Sequence, residues 1–247
     1  MRVWIQGKSE TDQFLKKRFA EKGVVFTSLK DSNLAVLQFP FSDINEKMED
    51  TLHCEQKIVC GIMDDKSKAI AEKKSLILYQ PILDEEYLLE NAKLTAEGAI
   101  CSAMAKMTIA LKDAVCMVIG YGRIGKELTK LLRAFGAEVI VAARRKESRM
   151  EAGENSISIN RIQSVIKNAD LILNTVPQSM IAESGLLQIK HTAFLFELAS
   201  KPYGFDMERA KTIGVHACLE SGLPGRYCPE SAASALFRFI ERSVQIE

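Results

Sequence analysis

Short apolar, β-branched runs alternate along the chain with stretches whose apolar positions recur every three or four residues. That alternation predicts an α/β protein. Residues 3–6 read as a first strand, and 24–27, 34–39, 58–62 and 76–79 as further strands. Residues 11–21 read as a helix whose inner face carries Phe14, Leu15 and Phe19, with Arg18 at its edge; 65–73 read as another. A long helical stretch over 95–111 is rich in Ala, Met and Ile and poor in charge, so it should be buried on most sides. Residues 114–119 are an unbroken apolar run of strand length, the pattern of a central parallel strand covered on both faces. A helix over 126–135, closed by Gly136, leads to a strand at 138–142. Strands follow at 170–174, 193–196 and 215–218, and an amphipathic helix at 231–244. The expected fold class is α/β, with two Rossmann-like doubly wound domains and an active-site cleft between them. The expected bounds are a substrate-side domain over 1–92, a nucleotide-binding domain over 93–230, and a terminal helix over 231–247 that packs back on the first domain.

Composition narrows the function. Thirty-three Lys and Arg against 32 Asp and Glu leave a net charge of +1, so no global field gathers nucleic acid. The first residues turn polar too early for a signal peptide, and no apolar run is long enough to span a membrane. Six Cys at 54, 60, 101, 116, 218 and 228 form no Cys-x-x-Cys, and there are three His, so no metal cage is expected. A cytoplasmic protein with reduced thiols is the expectation.

The sharpest motif is Gly120-Tyr121-Gly122-Arg123-Ile124-Gly125. It follows the apolar strand, opens a helix and is followed by a second strand, the context a dinucleotide loop requires. Gly120 permits the tight turn, Gly122 lets backbone approach a pyrophosphate, and Gly125 lets helix and sheet pack closely. At the end of the second strand an NAD-binding domain places Asp or Glu for the ribose 2′-hydroxyl. Here Ala143 stands near that place and Arg144 and Arg145 follow. An acid would repel a 2′-phosphate, whereas guanidinium groups pair with it. The cofactor expected is therefore NADP, and the 93–230 domain an NADP-binding one. Asn174-Thr175-Val176-Pro177 ends the next predicted strand, on the edge that lines the ligand crevice.

These segments resemble the dipicolinate synthase family, in its A-type subunit. The likeness runs through 90–98, 118–125, 142–144, 174–177, Leu198-Ala199-Ser200-Lys201-Pro202 and Gly222-Leu223-Pro224-Gly225, with Pro229 and Ala232 after them. The resemblance implies oxidation of a dihydrodipicolinate-type cyclic dicarboxylate to pyridine-2,6-dicarboxylate, with hydride passing to NADP. It also implies a flavoprotein-like partner, the B-type subunit of the enzyme, and a role in sporulation. The chain departs from the family in a short N-terminal region, in Tyr203-Gly204 where the family has two glycines, and in Glu220-Ser221 before the Leu-Pro-Gly segment.

A dicarboxylate needs cationic or N–H donors. Lys201, beside Ser200, is the first candidate, and Arg226 the second. Aromatisation needs a base, for which Glu97 is chosen, in the expected opening turn of the 95–111 helix behind an N-cap at Thr95. The catalytic set is thus Glu97, Ser200 and Lys201, and the substrate-binding set Lys201 and Arg226. His216 is expected in a buried strand, and Cys101 and Cys116 in the core. Two alternatives stay open: a related 2-hydroxy-acid dehydrogenase, and a non-catalytic NADP-binding partner or regulator. The apolar 95–111 helix is a candidate homodimer interface.

Overall fold

Residues 1–245 are described, from a computed structural model. They divide into two compact units, Met1–Asn91 with Pro224–Glu247, and Ala92–Leu223. The last two residues of the expected terminal helix lie outside the described residues.

In the first unit the strands are β1 (Arg2–Ile5), β2 (Val25–Phe26), β3 (Leu34–Val36), β4 (Phe41–Ser42), β5 (Lys57–Val59), β6 (Ile62–Met63) and β7 (Ile77–Tyr79). Its helices begin with α1 (Glu10–Glu21), α2 (Glu46–Thr51) and α3 (Asp65–Lys73); α4 (Glu85–Lys106) starts here and ends in the second unit. The main sheet runs β2-β1-β3-β5-β7 with every pairing parallel, the flavodoxin-like order. Alternation along β3 serves two cores. Leu34 and Val36 face a cluster with Phe19, Phe237 and Ile240, while Ala35 faces one with Ile44, Met48 and Ile58. Phe19 of α1 meets Phe237 edge to face, with ring centroids 5.1 Å apart.

The single strand expected over 58–62 is two. A Cβ on Gly61 would lie 2.1 Å from the Pro40 carbonyl oxygen. The chain there presses backbone on backbone, leaves the main sheet, and pairs β6 with β4 instead. The start of α1 is closed by its own side chains: Ser9 caps Asp12 N–H and Asp12 returns to Ser9.

The second unit contains β8 (Val115–Ile119), α5 (Arg123–Ala134), β9 (Glu138–Ala143), α6 (Lys146–Ala152), β10 (Ser156–Ser158), α7 (Ile162–Val165), β11 (Leu171–Asn174), α8 (Glu183–Leu186), β12 (Phe194–Glu197), α9 (Met207–Thr212) and β13 (His216–Leu219). After α10 (Leu223–Tyr227), the helix α11 (Pro229–Val244) packs on α1 in the first unit. Residues 224–230, expected with the nucleotide-binding domain, group with the first unit, where the Cβ position of Gly225 lies 3.3 Å from Thr11 Oγ1. The six-stranded sheet is parallel throughout, in the order β10-β9-β8-β11-β12-β13. Renumbered within the unit this is the dinucleotide-binding order 3-2-1-4-5-6, which reverses direction between β8 and β11. Cys116 and Val118 of β8 enter one core and Met117 and Ile119 the other.

Helix α4 starts ten residues earlier than the expected start, since no Gly or Pro interrupts 85–94 and Asp84 caps Tyr87 N–H at 2.8 Å. Thr95 is therefore a buried interior residue and no N-cap. Its neighbours Ala96, Ala99, Ile100 and Ala103 pack in the core of the second unit. Cys101, expected in the core, is exposed on the same helix. No helix among the described residues is long and apolar enough to cross a membrane.

Candidate functional site

The carboxyl ends of β8, β11 and β12 lie side by side, with Ile119 opposite Asn174 and Asn174 opposite Glu197. The reversal point of the sheet thus falls at Gly120 and Thr175. Gly120 has φ +96°, and a Cβ there would lie 2.4 Å from Thr175 Oγ1 and 2.7 Å from Val176 Cγ2. Thr175 donates its hydroxyl to Ile119 O at 2.8 Å, which locks it against the loop. A Cβ on Gly125 would lie 2.2 Å from Gly120 O. Around Gly122 there is open space: a Cβ would meet nothing within 4 Å.

Gly122 is also the N-cap of α5, which receives no side-chain cap bond and has no acid in its first turn. A helix start with neither a cap bond nor an acid leaves its dipole end without a negative side chain, as an anion site requires. Arg123 is exposed at the first helical position, and Ile124 packs on the core. Tyr121 is half-buried, with its ring centroid 5.6 Å from Lys126 Nζ. The open space at Gly122 and the uncapped helix start fit the diphosphate of a dinucleotide.

Ala143 ends β9 buried, while Arg144 and Arg145 are exposed beyond it. The corner is held by Arg149 of α6, whose Nη1 donates to Ala143 O at 3.1 Å and to Arg144 O at 2.7 Å.

Sequence reasoning missed Glu197, which is wholly buried at the end of β12. Its Oε1 accepts from Asn174 Nδ2 at 2.7 Å and Ala199 N–H at 3.0 Å, and its Oε2 from Gly204 N–H at 2.7 Å. Burial pushes this carboxyl above the usual carboxylate range, and those donors pull against the shift. A Cβ on Gly204 would lie 2.3 Å from Asn174 Nδ2, so backbone and amide touch there. The loop after β11, with Val176 and exposed Pro177, and the loop after β12, with exposed Ser200 and Lys201, are therefore tied through one carboxylate. Lys201 Nζ lies 5.9 Å from the Tyr203 ring centroid. The only sequence signal for Glu197 was an acid inside an apolar strand.

A second buried acid, Glu220, accepts Ser102 Oγ at 2.7 Å and pairs with Lys106 Nζ at 3.1 Å. This explains the departure at that position: Glu220 anchors the end of α4 beside β13. Glu97 is exposed, three turns into α4, and the expected place in an opening turn is corrected accordingly. Arg226 groups with the first unit, its guanidinium 5.3 Å from the Tyr227 ring centroid. His216 is exposed on the edge strand β13 and stacks on Phe194 at 5.2 Å, which corrects the expectation of a buried histidine. Burial pushes the Cys116 thiol up to about 12 and Cys60 up to about 11, so both are inert. Among the described residues no group of three or more His, Cys, Asp or Glu is placed to hold a metal ion.

Residues 87–200 match the D-isomer specific 2-hydroxyacid dehydrogenase NAD binding domain family. The A-type subunit of dipicolinate synthase from Bacillus subtilis (strain 168) is 27% identical over 193 residues, covering 77% of this chain and 64% of that protein. The match thus spans less than two thirds of that curated relative's length. The crystal structure of the A-type subunit from Bacillus halodurans superposes with a TM-score of 0.86 at 22% identity, covering 100% of this chain and 98% of that one. The dipicolinate synthase structure from Bacillus subtilis superposes equally well, with a TM-score of 0.86 at 19% identity over 100% and 96% of the two chains. A dinucleotide-type loop on a 3-2-1-4-5-6 sheet, joined to a 2-1-3-4-5 unit, and a sequence match that runs beyond the loop make this chain similar in fold and in part of its sequence to the A-type subunit of dipicolinate synthase.

Proposed function

We propose that this protein is an NADP-dependent oxidoreductase that converts a dihydrodipicolinate-type cyclic dicarboxylate to pyridine-2,6-dicarboxylate. The observation that supports it most is the pairing of an uncapped α5 with two exposed arginines where an NAD site has an acid. When bound, NADP⁺ supplies the hydride acceptor. Gly122 and the first N–H groups of α5 hold the diphosphate, with Gly120, Tyr121, Arg123, Ile124 and Gly125 shaping the loop. Arg144 and Arg145 hold the 2′-phosphate, and Asn174, Thr175, Val176 and Pro177 line the nicotinamide side. A dihydropyridine ring becomes aromatic by giving up one hydride and one proton. Glu97 is the proposed proton acceptor, Lys201 and Arg226 the carboxylate-binding cations, and Ser200 a hydrogen-bond donor beside Lys201. A flavoprotein-like B-type subunit, together with a second copy of the chain, is the proposed partner set, and sporulation in the cytoplasm the proposed setting.

Calorimetric titration with NADP⁺, NADPH, NAD⁺ and NADH tests the cofactor half. The expected result is at least a roughly tenfold preference for NADP(H), which a charged fork provides, lost in Arg144→Ala. Absence of all dinucleotide binding would overturn the reading in favour of a non-catalytic partner. The match to the 2-hydroxyacid dehydrogenase domain family supports a second reading, a 2-hydroxy-acid dehydrogenase. Turnover of 2-hydroxy acids without aromatisation activity would select it.

A further inference from the structure

We propose that Arg149 is a specificity-determining residue for the 2′-phosphate, acting by positioning Arg144 rather than by gripping the phosphate; this rests on the NADP reading above. Arg149 Nη1 donates to two successive carbonyl oxygens, Ala143 O at 3.1 Å and Arg144 O at 2.7 Å. These are the last carbonyl of β9 and the first beyond it. By binding both oxygens the guanidinium holds the end of β9 and the backbone at Arg144 in one geometry. The bond to Arg144 O also fixes the peptide plane after Arg144, and with it the direction in which the Arg144 side chain leaves the backbone.

The clamp is itself braced. Arg149 N–H donates to Arg145 O at 3.2 Å, and Arg149 O accepts from Ser156 Oγ at 2.8 Å, which ties α6 to β10. One helical turn further on, Ala152 O accepts from Arg133 Nη2 at 2.6 Å. Glu151 of the same helix is bound by Lys126 Nζ at 2.6 and 2.9 Å, so its charge is met locally. Glu147, exposed in the first turn of α6, is the acid that works against phosphate at this corner. Without a fixed backbone, Arg144 and Arg145 would be flexible surface cations, which lose much of their attraction to entropy and solvent.

The experiment is a set of dissociation constants for NADP⁺ and NAD⁺ on wild type, Arg149→Ala, Arg149→Lys, Arg144→Ala and the Arg144→Ala/Arg149→Ala double variant. Arg149→Ala is expected to cut the NADP⁺ to NAD⁺ affinity ratio about tenfold while NAD⁺ binding changes less than about twofold. Arg149→Lys, which retains a charged donor, should recover part of the ratio. In the Arg144→Ala background, Arg149→Ala should remove little more, since it acts through the residue already lost. Equal weakening of both nucleotides would make Arg149 merely structural and overturn the proposal. An unchanged ratio, or losses that add in the double variant, would overturn it as well. Wild type without a preference for NADP⁺ would instead sink the NADP reading in its own arm, and this inference with it.

Discussion

Three glycines of one loop are glycine for different reasons. Gly120 must be, because its φ is +96° and Thr175 fills the space a Cβ would need. Gly125 must be, because a Cβ would collide with the Gly120 carbonyl at 2.2 Å. Gly122 has an ordinary φ of −87° and nothing within 4 Å of a Cβ, so folding alone does not require it. Gly125→Ala is therefore expected to destabilise the protein by about 1–3 kcal/mol, by overpacking. Gly122→Ala should leave stability within about 0.5 kcal/mol and weaken dinucleotide binding about tenfold or more, because the methyl occupies the approach to the diphosphate. Urea melts and titration of the two variants check this; unimpaired binding in Gly122→Ala would remove the loop from the proposed site. The sequence motif assigns each glycine its own task from its place in the spacing; what a Cβ at each would touch comes from the structure alone.

At the scale of elements, side chains at strand and helix ends decide which loops move together. Glu197 joins the loops after β11 and β12 by accepting three donors. Glutamine in its place must turn its own amide N–H₂ toward at least one of them. Glu197→Gln should cost roughly 1–3 kcal/mol, the penalty of an unmet buried donor, read as a lower urea midpoint. Unchanged stability would mean the two loops are held by other contacts. Asp84 does the corresponding work for α4. Its carboxyl is held below the usual carboxylate range, first by Tyr87 N–H and then, against some burial, by Arg242. A folded pKa below the unfolded value near 3.9 means stability that is present above about pH 4 and lost as pH falls through the folded value. Asp84→Ala should therefore cost about 1 kcal/mol at pH 7, the usual worth of a cap, and less at pH 3. Denaturant melts at both pH values measure the difference; an equal cost at both would remove the charge from the account. The apolar stretch by itself points to a cap at Thr95, next to where its pattern begins. The true cap lies well before it, ahead of a run whose apolar residues are spread among charges.

At the scale of the whole molecule, one chain builds two parallel sheets with different strand orders, 2-1-3-4-5 and 3-2-1-4-5-6, and only the second ends its first strand in an open helix start. In the first unit the comparable start, at α1, is filled by Asp12 and Ser9. The capping pair Ser9 and Asp12 is seen in the structure and forms no part of the sequence reading. The α/β class, most of the strands and the dinucleotide loop were legible in the sequence, because a buried parallel strand needs an unbroken apolar run and a tight approach needs glycine at set spacing. The arginines after β9 were legible for the same reason, since they follow at a fixed distance. The carboxylate beneath two loops, the guanidinium behind Arg144, the exposure of His216 and Cys101, and the grouping of Arg226 with the first unit were decided by the tertiary structure. Apart from the Arg149 contact, which reaches back only five and six residues, each depends on which residues far apart in the chain become neighbours, and the period of a single helix or strand carries no record of that.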